Sequence, residues 1–268
     1  TPTPAPCQAE QASKSTGLPA LCVTLKDVDA THNTQSYLDS QSKDTPVAAA
    51  IDLFNSVGSS KNISSVGKNL GEIKGRGNFT WLYLPKKPYQ IKFDAKTSVL
   101  GMPAAKKWVL LANHADPTFM RNMVALSLGG GIGLNESSEY RYVDLFVNGK
   151  YRGNYMVTEK VEIGTGRLEL PGKNGILGEM DINYYSTEPF YYTTKTSGTQ
   201  VVLKDGKGSG GVPDLSITPL SGEVGAGWKM MQTRLDQLDA VLYDKSKPDL
   251  DWNALKAIID VDSFVKYY

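Results

Sequence analysis

The sequence predicts an α+β protein, strand-rich in its first part and mostly helical in its second. Three observations carry this. Five short apolar or alternating segments precede residue 113. Asn148-Gly149 then joins two alternating runs, a strong hairpin signal. From Trp228 onward, apolar residues recur at steps of three and four, the helical period. Strands, one helix, a hairpin and then mostly helices is an α+β order.

The elements follow from local chemistry. Residues 1–20 form a segment or linker rich in Pro, Ala and Ser, expected to be poorly ordered except near Cys7. Leu21–Leu25 reads as a first strand, and Ala48–Phe54 is a further apolar run followed by a Ser/Gly/Asn loop. Gly71–Gly75 and Tyr89–Phe93 are strand-like, and Trp108–Ala112 reads as a short buried strand from its continuous apolar character. Asp116-Pro117 reads as the start of a helix, with Asp as N-cap and Pro at the first helical position. Phe119, Met120, Met123, Val124 and Leu128 would form its apolar face, and Gly129-Gly130-Gly131 would end it. Tyr140–Val147 and Tyr151–Thr158 are the arms of the hairpin, and Ile176–Ile182 is a further strand. Residues 183–224 are an insertion rich in Tyr, Thr, Ser and Gly, with Gln200–Leu203 as one arm of a long hairpin or a mobile stretch. Trp228, Met231, Leu235, Leu238 and Leu242 mark one helix; Asp251 caps a second and Asp262 a third. The expected division is a strand-rich part over 21–158 and a helical part over 159–268.

Composition bounds the function. A formal net charge of +1 over 268 residues gives no global basic field, so nothing in the charge balance points to nucleic acid. No apolar run approaches the 18 residues of a membrane-spanning helix. Cys7 and Cys22 are the two cysteines. Paired, they would close a loop of roughly 15 residues, worth about 3 kcal/mol in the chain-entropy view, and would argue for an oxidising, extracellular setting; the alternative is two unpaired thiols. Asn62, Asn78 and Asn135 fit the glycosylation pattern, which three chance matches also satisfy.

The richest stretch is Lys74-Gly75-Arg76-Gly77-Asn78-Phe79-Thr80-Trp81, followed by Lys86-Lys87-Pro88-Tyr89-Gln90-Ile91-Lys92-Phe93. Glycines let backbone N–H groups approach a phosphate, and Arg and Lys supply the opposing charge. As a bare motif this is weak, since glycine pairs between strands usually only make a turn. Lys92 points away from the face shared by Ile91 and Phe93, towards either solvent or a ligand. Lys86 and Lys87 read as solvated turn residues; one of Lys106 and Lys107, flanking a buried strand, is placed to face a cleft. Glu179 and Asp181 alternate around Met180, which turns both carboxylates one way.

Together with Leu100-Gly101-Met102-Pro103 and Lys106-Lys107-Trp108-Val109-Leu110-Leu111-Ala112-Asn113, these motifs resemble the spore-coat protein H (CotH) kinase family over residues 70–182. Asp260-Val261-Asp262-Ser263-Phe264-Val265 is similar to the start of a later helix in that family. The resemblance implies an atypical protein-kinase-like fold of two lobes, a strand-rich N-terminal lobe and a helical, here truncated, C-terminal lobe. It implies transfer of the ATP γ-phosphate to Ser or Thr of a protein substrate, with Mg²⁺ or Mn²⁺. Arg76, Asn78, Lys92, Lys107 and Arg121 would meet the nucleotide, and Glu159 and Lys160 would form the hinge beside the base. Glu179 and Asp181 would be the catalytic and metal-binding carboxylates. Two departures stand out. The helix after Asp116 carries no glutamate for the strand lysine, and the aspartate-rich motif that follows the later helix in the family and binds metal there does not occur before Tyr268. An incomplete catalytic apparatus is therefore an expectation too.

Other chemistries find little support. The two histidines, His32 and His114, are far apart, and no zinc spacing, Gly-x-Ser-x-Gly elbow or Gly-x4-Gly-Lys-Ser/Thr loop occurs. His114 reads as structural or cleft-lining. The runner-up function is a secreted or cell-surface pseudokinase or binding module. Tyr184, Tyr185, Tyr191 and Tyr192 leave carbohydrate binding as a third reading, unless they simply pack a hairpin.

Overall fold

A computed structural model describes residues 16–26, 35–54, 70–134, 136–170, 172–183, 185–206 and 222–267. The chain divides into two compact units, residues 1–130 with 137–160, and residues 131–136 with 161–268.

The first unit is a closed barrel. Strands β1 (Ala20–Leu25), β2 (Val47–Phe54), β3 (Leu70–Gly75), β4 (Tyr89–Thr97), β5 (Ala105–Leu111), β6 (Tyr140–Val147) and β7 (Lys150–Glu159) run round it in the order β1-β2-β3-β4-β5-β7-β6. Every pairing is antiparallel except the last, where β1 lies parallel to β6 and closes the ring, Ala20 opposite Asp144 and Val23 opposite Val147. Alternation explains the interior. Leu21, Val23 and Leu25 of β1, Val47, Ala49, Ile51 and Leu53 of β2, and Tyr89, Ile91 and Phe93 of β4 share one core with Trp108, Leu110, Val143, Leu145, Tyr155 and Val157. Two short helices plug into it: α1 (Gln35–Ser40) contributes Leu38, and α2 (Phe79–Tyr83) contributes Trp81. The Asn148-Gly149 turn has positive φ at both residues (49° and 76°), as a two-residue hairpin loop of the right twist requires.

The second unit holds a three-stranded sheet, order β8-β10-β9, from β8 (Ile176–Met180), β9 (Tyr191–Thr193) and β10 (Gln200–Gly206). Helix α4 (Gly222–Leu242) packs on it through Val224, Trp228 and Met231 against Leu203, Ile176, Phe190 and Tyr192. Helices α5 (Trp252–Ile258) and α6 (Val261–Tyr267) follow.

The expected two-lobed, kinase-like fold with a helical second lobe is therefore corrected. The first strands do not form an open sheet, because β1 and β6 meet and remove both edges. The second unit is centred on a sheet as well as on helices, of which, among the described residues, only α4 is long. The helix expected from Asp116 starts at Arg121: α3 spans Arg121–Gly131. The Asp116 carboxylate accepts bonds from the Thr118 backbone N–H (3.0 Å) and hydroxyl (2.7 Å), making a local turn, and Phe119 at φ 59° keeps the chain off the helical path. Met120, just before α3, and Val124 and Leu128 within it stay about half exposed instead of packing as an apolar face. The last helix is capped by Asp260, which accepts from Ser263 N–H at 3.1 Å, rather than by Asp262. Cys7, Asn62, Asn135, His32 and Tyr184 lie outside the described residues.

Candidate functional site: a cationic cleft at one end of the barrel

Two stretches that leave barrel strands build the cleft. The first runs from β3 through Arg76 and α2 to Pro88; the second runs from Leu111 at the end of β5 into α3. Its volume is about 290 Å³, and Arg76, Thr80, Lys86, Asn113, His114, Asp116, Arg121 and Asn122 bring polar groups to it. Leu84, Pro88, Leu111 and Ala112 make the apolar part of the wall. Three basic side chains and one carboxylate thus line it.

The glycines around Arg76 have packing reasons. A Cβ on Gly75 would sit 2.6 Å from the Trp81 ring, and a Cβ on Gly77, at φ 82°, would lie 2.3 Å from Thr80 Oγ1. Only glycine lets β3 turn this sharply over α2. The Arg76 backbone N–H donates to the Pro88 carbonyl (3.1 Å), which ties the two ends of the loop together.

Lys86 is the residue that sequence reasoning passed over as a solvated turn lysine. The structure half buries it. Its ammonium donates to the Asn154 carbonyl and lies 4.4 Å from the Tyr155 ring centroid and 4.8 Å from that of Phe119. Burial pulls its pKa down to about 8. No sequence signal marks this, because Phe119 and Tyr155 reach Lys86 only through the fold.

The second stretch is wound just as tightly. Asn113 takes φ 49°, and its Oδ1 accepts a bond from Asn122 Nδ2 at 2.8 Å, while its own buried Nδ2 has no protein acceptor. Asp116 Oδ2 accepts from the Arg121 N–H (2.8 Å), and its Oδ1 is 3.7 Å from Arg121 Nε. The Thr118 hydroxyl, the Arg121 N–H and the guanidinium hold the Asp116 carboxyl below the usual carboxylate range.

The remaining candidates fall elsewhere. Lys92 projects from the outer barrel face, opposite Glu72 on β3 and Lys107 on β5, and its Nζ is 3.2 Å from Glu72 Oε1. Neither Lys92 nor Lys107 lines the cleft with Arg76 and Arg121. Asn78 stands at the N-cap of α2 with no side-chain capping bond. Glu159 is buried and accepts from the Glu139 N–H at 3.0 Å, which clasps the entry to β6; the chain passes from the first unit to the second after Lys160. In the second unit, Glu179 is 3.5 Å from Lys204, and Asp181 accepts from the Asn183 N–H at 3.0 Å. Among the described residues no three His, Cys, Asp or Glu side chains gather as a metal site. The tyrosines are used in packing: Tyr185 and Tyr191 stack edge-on at 5.1 Å, and Tyr192 donates to Asp236 at 2.7 Å.

The first unit is thus a closed barrel with a cleft lined by Arg76, Lys86 and Arg121. Residues 73–268 match the family of the CotH kinase protein, and the chain belongs to that family. This makes it a kinase-like protein. No curated protein matches the chain. No helix among the described residues is long and apolar enough to cross a membrane.

Proposed function

We propose that this chain is a secreted atypical protein kinase whose barrel cleft holds the phosphates of ATP while the γ-phosphoryl passes to a Ser or Thr hydroxyl of a protein substrate. The observation that carries the reading is the convergence of Arg76, Lys86 and Arg121 on one small cleft. In the transfer, the acceptor oxygen bonds to the γ-phosphorus, the bond to the β-phosphate oxygen breaks, ADP leaves, and the hydroxyl proton goes to solvent or a nearby base. Little covalent help is needed, so positioning and charge neutralisation are the protein's share. Arg76 and Arg121 offer forked donors to phosphate oxygens, and Lys86 adds a point charge. Mg²⁺ or Mn²⁺ belongs in this reading with the triphosphate, whose oxygens supply most of its ligands.

Secretion is proposed from the Cys7 and Cys22 pair. Cys22 is 1% exposed on β1. Intact mass after alkylation without reduction, on protein from the native host, should show no alkylated thiol; two would end the pairing and the argument for an oxidising compartment.

The test of the site is calorimetry with ATP and Mg²⁺. Arg76→Ala should weaken binding by roughly 1–3 kcal/mol, the cost of losing a charged hydrogen bond. Unchanged affinity in both Arg76→Ala and Arg121→Ala would sink the cleft. One observation favours the second reading, a pseudokinase or binding module: the carboxylates Glu179 and Asp181 are engaged by Lys204 and by a local turn. ATP binding without transfer of labelled γ-phosphate to any acceptor protein would decide for it.

A further inference from the structure

His114 lines the cleft beside Arg76, Lys86, Asp116 and Arg121, and the phosphate reading gives it no task. It stands on a turn that the Asp116 N–H closes by donating to the Asn113 carbonyl at 3.1 Å. The turn is held at its first residue, where Asn122 Nδ2 donates to Asn113 Oδ1, and at its last, where the Asp116 carboxylate accepts from Thr118 and Arg121. The imidazole is therefore set at the cleft wall on a fixed stretch of backbone. The residue is exposed there, open to a group arriving from solvent.

Transfer to a hydroxyl needs somewhere for its proton to go, and the titratable groups that line the cleft are unequal in taking it. Arg76 and Arg121 stay protonated. Lys86 has its pKa lowered to about 8 by burial, but its ammonium already donates to the Asn154 carbonyl, and phosphate oxygens beside it favour the charged form. Asp116 has both carboxylate oxygens engaged, and the Thr118 hydroxyl, the Arg121 N–H and the guanidinium hold it below the usual carboxylate range, which makes it a weak base. Imidazole is the side chain suited to accept and release a proton near neutrality.

Resting on the reading of the cleft as the site of phosphoryl transfer, we propose that His114 is the general base of that reaction. As the acceptor oxygen bonds to the γ-phosphorus and the bond to the β-phosphate oxygen breaks, the hydroxyl proton passes to an imidazole nitrogen. ADP leaves, and the imidazolium returns the proton to solvent. The cations hold the phosphates and the histidine serves the incoming hydroxyl, so the two tasks fall to different side chains of one cleft.

The experiment follows labelled γ-phosphate from ATP with Mg²⁺ to dephosphorylated casein, using the full chain and its His114→Gln and His114→Ala variants, with ATP affinity from calorimetry on the same preparations. Both variants should lower kcat about 10²- to 10⁴-fold, the span of general-base catalysis, and leave ATP affinity unchanged. The unaltered chain should lose kcat towards acid pH as the base takes its proton, and this dependence should vanish in the variants. Added imidazole should restore part of the rate to His114→Ala, whose missing ring leaves room for it. Unchanged kcat in both variants would overturn the assignment. Weakened ATP binding at unaltered kcat would make the imidazole a phosphate contact and overturn it too. A lowered rate with the pH profile intact and no rescue by imidazole would give His114 to the fold, again against the proposal. ATP binding to the unaltered chain without transfer to casein, to the chain itself or to water would end the transfer reading, and the base with it. Failure of ATP to bind the unaltered chain would instead remove the cleft reading on which both rest.

Discussion

Lys86 carries its ammonium between two aromatic rings and a backbone carbonyl, half withdrawn from water. Its pKa is lowered from 10.5 to about 8 by that burial, so the folded chain binds this proton less tightly than the unfolded chain does. The charged form's penalty is fully present below about pH 8 and is relieved as pH rises from there towards the ordinary lysine value. Phosphate oxygens brought beside the amine act in the other direction and favour the charged form. ATP binding at about pH 8 should therefore draw a proton from solvent, read as a dependence of the calorimetric heat on the buffer's ionisation enthalpy. The uptake should disappear in Lys86→Met. Affinity that stays flat in the unaltered chain from about pH 7 to 9.5 would take Lys86 out of the site's chemistry. Arg76 stood out from the glycines around it and Arg121 only through the family resemblance, and both line the cleft. Lys86 was not, since a lysine between prolines in a turn looks solvated until Phe119 and Tyr155 are placed on either side of it.

Helix α2 and the hairpin show how single contacts fix whole elements. Gly75→Ala would push a methyl group into the Trp81 ring at 2.6 Å, where the barrel core leaves little room to move. Overpacking of this kind typically costs about 1–3 kcal/mol. Because α2 carries Thr80 and leads directly to Lys86, the same change should lower phosphate affinity as well; urea unfolding and calorimetry on one preparation would read both. A stable variant with intact binding would show that α2 can shift freely. The Asn148-Gly149 turn was legible as a hairpin, yet half of its work was not. Asn148 Oδ1 accepts from the Leu25 N–H at 2.8 Å, and its own N–H donates to the Val23 carbonyl at 2.9 Å, so this turn also grips β1. Asn148→Ala loses the first of these bonds and puts alanine at positive φ, so unfolding should become easier by about 1–3 kcal/mol. Asn148→Gly, which tolerates the φ, should recover part of that.

For the whole molecule, the strands were readable and their closure was not. Alternation tells which side chains point inward, but it does not say that β1 will lie beside β6, more than a hundred residues away and parallel to it. The same limit hid the sheet of the second unit, whose strands are short and separated by polar, tyrosine-rich sequence. Local stability should follow this map. Hydrogen exchange is expected to be slowest in β6 and β7, buried over Val143–Val147 and Tyr155–Glu159, and fastest in α6, where no residue is buried. Protection of α6 equal to that of the barrel strands would contradict it.

Ring closure also decides where another polypeptide can join this one through its backbone. The seven strands of the barrel spend their ladder hydrogen bonds on one another, and so offer no row of spare donors and acceptors to a passing extended segment. Among the described strands, β8 and β9 are the outermost of an open sheet, with Met180 72% and Tyr191 46% exposed. Strand-to-strand self-association or fibre growth, where this protein shows either, has its template in the second unit, and charges placed along β8 would be the means of suppressing it.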